Sequence, residues 1–204
     1  QTVAQAIDQI VEYIQTIHAV YPAIKIGLIE PVVMYEYNGV HRYSAGAQGI
    51  DFKTAFADLL TDLVAASETL GFLTGALAYE YMEGIIASSF SEADIWLARA
   101  RLMQIEAVAA GVPFGMTLNT AYGGGGTTGT FSGAPFAGSD ALWAKYVLLH
   151  AERLRRYIAT GAMVALDHLV VESFYYYPRD QAPDTTPYTF CDTFLKAKAV
   201  FNTA

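Results

Sequence analysis

The sequence predicts an α/β chain built on a parallel sheet, and three observations carry that expectation. Amphipathic helices alternate with short apolar strands along the chain. Three of the helices open on a polar capping residue and close on a glycine. Acidic side chains recur at the carboxyl ends of the strands, where parallel α/β proteins place their sites. Hydrophobic residues make up 53% of the 204 and charged residues 16%, a balance that buries much of the chain and argues against disorder. The chain reads as a single domain over residues 1–204.

The elements follow in order. Residues 3–18 form a helix with Val3, Ile7, Ile10, Val11, Ile14 and Ile17 on one face, broken at Tyr21-Pro22, and residues 24–29 are its strand. Asp51 opens the next helix, Phe52, Phe56, Leu59, Leu60, Leu63 and Val64 share its face, Gly71 closes it, and 72–79 is the strand. Ser91 opens the third, with Asp94 three residues on in the manner of a capping box. That helix runs through Ile95, Leu102, Ile105 and Val108 to Gly111, and the strand 113–119 follows. Ser139-Asp140 opens the fourth, Trp143, Tyr146, Leu149 and Leu154 face inward, Gly161 closes it, and 162–171 is the strand. A last amphipathic helix over roughly 187–201 begins around Cys191, a packed thiol with no second cysteine to pair with. Each closing glycine is expected in the left-handed conformation that stops a helix.

Alternation of this kind implies a parallel sheet with right-handed crossovers. A doubly wound sheet would be complete with four or five strands, whereas a closed barrel needs eight strands and about 250 residues. The strand ends favour the barrel, of which about four αβ units would be half.

Those ends read Ile29-Glu30-Pro31, Tyr79-Glu80-Tyr81, Leu118-Asn119-Thr120 and Val171-Glu172-Ser173. A carboxylate at the rim of an apolar strand needs a partner, a metal or a chemical role. Side chains alternate along a strand, so Glu30 shares a face with Ile26 and Leu28, and Glu172 with His168 and Val170. If those faces line a barrel, Glu30 and Glu172 converge across its mouth. The arrangement resembles the (β/α)8-barrel glycoside hydrolases whose acid/base Glu ends strand four, often in Asn-Glu-Pro, and whose nucleophile Glu ends strand seven. Here Glu30-Pro31 matches, Ile29 stands in place of the Asn, and Glu172 falls on the third strand after it. The resemblance implies that the chain corresponds to the C-terminal half of the barrel, with Glu30 and Glu172 as the catalytic pair for cleaving a glycosidic bond. It also suits a secreted or periplasmic address.

Aromatic residues crowd the same ends. Tyr35, Tyr79, Tyr81, Tyr122 and Tyr175, with Glu80 and Asn119, are the expected substrate contacts, since aromatic faces suit the C–H faces of sugars. Trp96, Trp143, His18 and His150 lie on helices and read as structural, while His168 reads as a hydrogen-bonded strand residue with Asp167 turned to the helices. No cofactor or metal is required on this reading. An alternative is a Mg-dependent lyase or isomerase of the enolase type, with Glu30, Glu80, Asn119 and Glu172 as oxygen ligands, though no Lys or His base stands at a strand end. Another is a carbohydrate-binding barrel without catalysis.

The remaining features exclude more than they assign. A net charge of −8 repels phosphate backbones, and Arg153, Arg155 and Arg156 interleave with Glu152 as a solvated helix face, so nucleic acid is not an expected partner. No apolar run is long enough to span a bilayer, and the opening Gln1-Thr2-Val3-Ala4 lacks the basic stretch of a signal peptide. The glycine-rich stretch 121–130 lacks the Lys of a phosphate loop and reads as a loop over the site. His41-Arg42 reads as a surface pair.

Overall fold

Thr2 starts the first helix by a reciprocal exchange: its hydroxyl accepts the Gln5 N–H while its own N–H donates to the Gln5 side chain. Helix α1 (Val3–Val20) leads to strand β1 (Gly27–Pro31). The computed structural model describes residues 2–32, 35–36, 50–82, 93–120, 138–173 and 177–202. After β1 come a two-residue parallel pair, β2 (Tyr35–Glu36) and β3 (Ile50–Asp51), then helix α2 (Phe52–Ala65) and strand β4 (Phe72–Ala76). A helical turn α3 (Tyr79–Met82) and helix α4 (Ala93–Ala109) precede strand β5 (Phe114–Leu118). Helix α5 (Asp140–Ala159), strand β6 (His168–Val171) and helix α6 (Phe190–Asn202) complete the order.

The class is α/β, with an all-parallel four-stranded sheet in the order β1-β4-β5-β6. The strands stand in chain order, without the reversal that marks a doubly wound sheet. Their register sorts the side chains onto two faces. Glu30, Gly75, Met116 and Leu169 form one row, and Leu28 with Leu73 and Leu118 with Val171 flank it on the same face. Helices from both ends of the chain cover this face. Ile7 and Ile10 of α1 and Phe52, Phe56 and Leu59 of α2 surround Leu28, Glu30 and Leu73. Ile158 of α5 and Phe194, Ala197 and Phe201 of α6 line a cavity over this face together with Leu118, Leu169 and Val171. The core lies between, with Ile14, Leu63, Phe114, Met116, Trp143 and Leu154 fully buried.

The far face carries the row Ile29, Thr74, Gly115 and His168. Two rings lie over glycines there. A Cβ on Gly27 would stand 2.3 Å from the Phe72 ring, and one on Gly115 would stand 2.3 Å from His168. The two rings meet edge to face at 5.2 Å, and His168 Nε2 is hydrogen-bonded to the Thr74 hydroxyl at 2.7 Å.

Several local expectations need correction. Gly111 and Gly161 adopt the left-handed conformation, with φ of 69° and 74°, but Gly71 does not. Helix α2 stops at Ala65, and Ser67 takes the positive φ instead. Gly71 answers to space: a Cβ there would stand 2.9 Å from the Ile26 carbonyl oxygen, to which Gly71 N–H donates. The strand expected over 162–171 begins only at His168. The Gln104 side chain of α4 occupies the backbone of Val164, donating to its carbonyl at 3.0 Å and accepting its N–H at 3.1 Å. Residue 164 is thereby paired with a helix rather than with β5. The strand expected over 72–79 ends at Ala76, and Tyr79 and Glu80 enter the helical turn. Asp51 and Ser139 cap their helices as expected, while Ser91 lies outside the described residues.

Candidate functional site

Three neighbouring strand ends come together at the carboxyl edge of the sheet. Glu80, on the turn after β4, is fully buried and accepts the Thr120 hydroxyl through Oε1. Asn119 directly follows β5, and its carbonyl accepts the Tyr79 N–H at 3.1 Å. Glu172 directly follows β6; its N–H donates to the Leu118 carbonyl at 3.1 Å, so the ladder continues one residue past the strand. That places the two side chains together, and Asn119 Nδ2 donates to Glu172 Oε2 at 3.3 Å. A line of polar contacts thus runs Glu80–Thr120–Asn119–Glu172 across β4, β5 and β6.

Glu172 is half-buried, and burial raises its pKa above the ordinary carboxylate value, while the Asn119 hydrogen bond pulls it partly back. A half-buried carboxyl whose pKa is raised holds its proton to higher pH than a free one, which is the direction a general acid needs. Behind the strand end stands His150 of α5, fully buried, with Nδ1 at 3.3 Å from the Asn119 carbonyl oxygen. Burial lowers its pKa to about 4, so the ring is neutral at pH 7.

The expected convergence of Glu30 and Glu172 is corrected by the register. Glu30 is in the row of Leu169, and Glu172 lies three residues beyond Leu169, an odd step that puts it on the other face. Glu30 faces the helices beside Ile10, Phe52 and Phe56. The carboxylates therefore do not share a cleft. Glu80, expected to meet substrate, is enclosed. Tyr79 is buried against the Tyr146 ring at 5.2 Å, and Tyr81 stands edge-on to Trp96 at 5.5 Å, so both pack rather than project. Tyr35 belongs to β2 by its backbone, its side chain lying outside the described set, while Tyr122, Tyr175, the 121–130 stretch and His41-Arg42 lie outside the described residues. Trp96 and Trp143 are core, and Asp167 accepts the Phe114 N–H at 2.8 Å. The four oxygen ligands of the magnesium reading are not brought together, since Glu30 is on the wrong face. Among the described residues no group of three or more His, Cys, Asp or Glu is arranged to hold a metal ion.

No family model, curated protein or solved structure matches the chain. The site therefore rests on its own geometry. Two of its members escaped the sequence reading as site residues. Thr120 gave only the signal of adjacency to Asn119. His150 gave a better one: it falls on the inner face of α5 in the series Trp143, Val147, His150 and Leu154, a polar ring at an apolar spacing. Among the described residues no helix is long and apolar enough to cross a membrane.

Proposed function

We propose that this carboxyl edge is the active site of an acid–base hydrolase that cleaves a glycosidic bond, and that its four strands are consecutive staves of a (β/α) barrel. The observation that carries the proposal is Glu172: a strand-end carboxyl, half-buried, with a raised pKa and one oxygen held by Asn119. Such a group delivers its proton to the leaving oxygen as the bond to the sugar breaks. The strand order without reversal, with helices from both ends of the chain on one face, supports the barrel part of the reading.

Glycosidic cleavage also needs a second carboxylate. Glu30 faces the helices and Glu80 is enclosed, so neither supplies it in this arrangement. The test is turnover of a panel of glycosides by the full chain, Glu172→Gln and Glu80→Gln. The expected result is a loss of about a hundredfold or more in kcat for Glu172→Gln, with wild-type activity falling as pH rises through the raised Glu172 pKa because the acid form is consumed. Undiminished turnover by Glu172→Gln would remove the proposal. Glycan binding without turnover by any form would favour the non-catalytic carbohydrate-binding alternative.

A further inference from the structure

The Asn119 carbonyl has two donors converging on it, and the second is not needed for satisfaction. Tyr79 N–H already donates to this oxygen at 3.1 Å, and His150 Nδ1 adds a contact at 3.3 Å. Because the carbonyl only accepts, Nδ1 carries the proton and Nε2 bears a lone pair. That lone pair is fully buried and finds no hydrogen-bond partner among the described residues. A Leu or Phe would fill the same space on α5 without an unsatisfied nitrogen, so packing does not explain the imidazole. What it adds is direction. Two donors on one carbonyl restrict the tilt of its planar peptide unit, and the Asn119 side chain springs from the Cα at the head of that unit.

We propose that His150 is a positioning residue for Glu172: by fixing the Asn119 carbonyl from behind the sheet, it aims the Asn119 amide at the Glu172 carboxylate. The relay runs from helix α5 to the end of β5 and on to the end of β6, and it deepens the reading of Glu172 as the proton donor. Asn119 Oδ1 is itself buried without a partner among the described residues, so nothing else there holds the amide from its oxygen side. Without His150 the Tyr79 N–H is the carbonyl's remaining donor, the peptide unit after Asn119 can tilt, and the Asn119 amide turns from Glu172, which then keeps its burial with a weaker compensating donor.

The test is a carboxyl-carbon NMR titration of Glu172 in the full chain, which needs no substrate. His150→Leu removes the donor, whereas His150→Asn places an amide N–H where Nδ1 stood. The expected result is an upward shift of the Glu172 midpoint by about half to one pH unit in His150→Leu, with a midpoint near wild type in His150→Asn. Asn119→Ala should shift it in the same direction by at least as much. An unchanged midpoint in folded His150→Leu overturns the proposal. Where His150→Leu fails to fold, the wild-type imidazole decides by its nitrogen shifts: the Nδ1–H tautomer supports the relay, and the Nε2–H tautomer overturns it. A shifted midpoint in His150→Leu together with full turnover by Glu172→Gln would keep the positioning relation and discard the catalytic reading.

Discussion

Replacing Gln104 by Leu tests how the chain is held between α5 and β6. Gln104 is fully buried on α4, and its amide is saturated: Nε2 donates to the Val164 carbonyl at 3.0 Å and the Ala165 carbonyl at 3.5 Å, and Oε1 accepts the Val164 N–H at 3.1 Å and Arg101 Nη1 at 2.9 Å. The substitution removes two well-formed bonds to Val164, each with a net value of about 1 kcal/mol, and a long one to the Ala165 carbonyl at 3.5 Å, and strips these partners from three backbone groups. Those groups are not sealed, since Val164 is 42% exposed and water can recover part of the loss. The expected cost is therefore about 2 kcal/mol rather than the larger penalty of a dry orphan pair. For a chain of this length that is a fall in Tm of roughly 4–8 °C. Equilibrium unfolding in urea reads it as a lower midpoint with an unchanged slope. Gln104→Glu keeps the acceptor and loses the donor, so it should fall between the two. A Gln104→Leu chain within about 0.5 kcal/mol of wild type would refute the idea that this amide organises the 162–167 segment.

Two further outcomes follow from contacts already described. Gly115→Ala should cost about 2–3 kcal/mol, and more than Gly27→Ala, because its Cβ meets the backbone oxygen of His168 at 2.5 Å as well as the ring, while at Gly27 the three nearest atoms all belong to the Phe72 ring; equal losses in thermal unfolding would contradict this. His18 Nδ1 meets Glu68 Oε2 at 2.5 Å and Nε2 meets the Ile24 carbonyl at 2.9 Å, and the Glu68 bond raises the imidazole pKa. A His whose folded pKa is raised contributes stability below its unfolded value near 6.5 and loses it as pH rises through the folded value. Unfolding free energy should thus decline across that window in the wild type and stay flatter in Glu68→Gln, and matching slopes would count against the pair.

The residues explain why some of the architecture was legible in the sequence and some was not. Caps at Asp51 and Ser139 and stops at Gly111 and Gly161 are local chemistry, so they can be read from a few neighbours. The meeting of Asn119 with Glu172 was within reach too, since both end apolar strands. The Glu30–Glu172 pairing failed for a different reason. Alternation shows which residues of one strand share a face, but not which face that is. In β1 the apolar set Ile26 and Leu28 faces the helices, whereas in β6 the set His168 and Val170 faces away from them. Both strands are covered enough that either parity looks apolar, and only the cross-strand register decides. Gln104 was invisible because its partners are backbone atoms sixty residues away.

The two rings seated over glycines have a consequence for how the far face responds to change. Phe72 bridges Gly27 to His168, and His168 in turn covers Gly115 and binds Thr74, so one unbroken run of contacts crosses all four strands. Neighbours in such a run share their free energy. Substitutions at the two glycines, two strands apart, are thermodynamically coupled: the ring displaced by the first is already out of place when the second arrives. The floor of the sheet therefore tolerates variation as a set and resists it one residue at a time, which would make these five positions drift together in any lineage that keeps the fold.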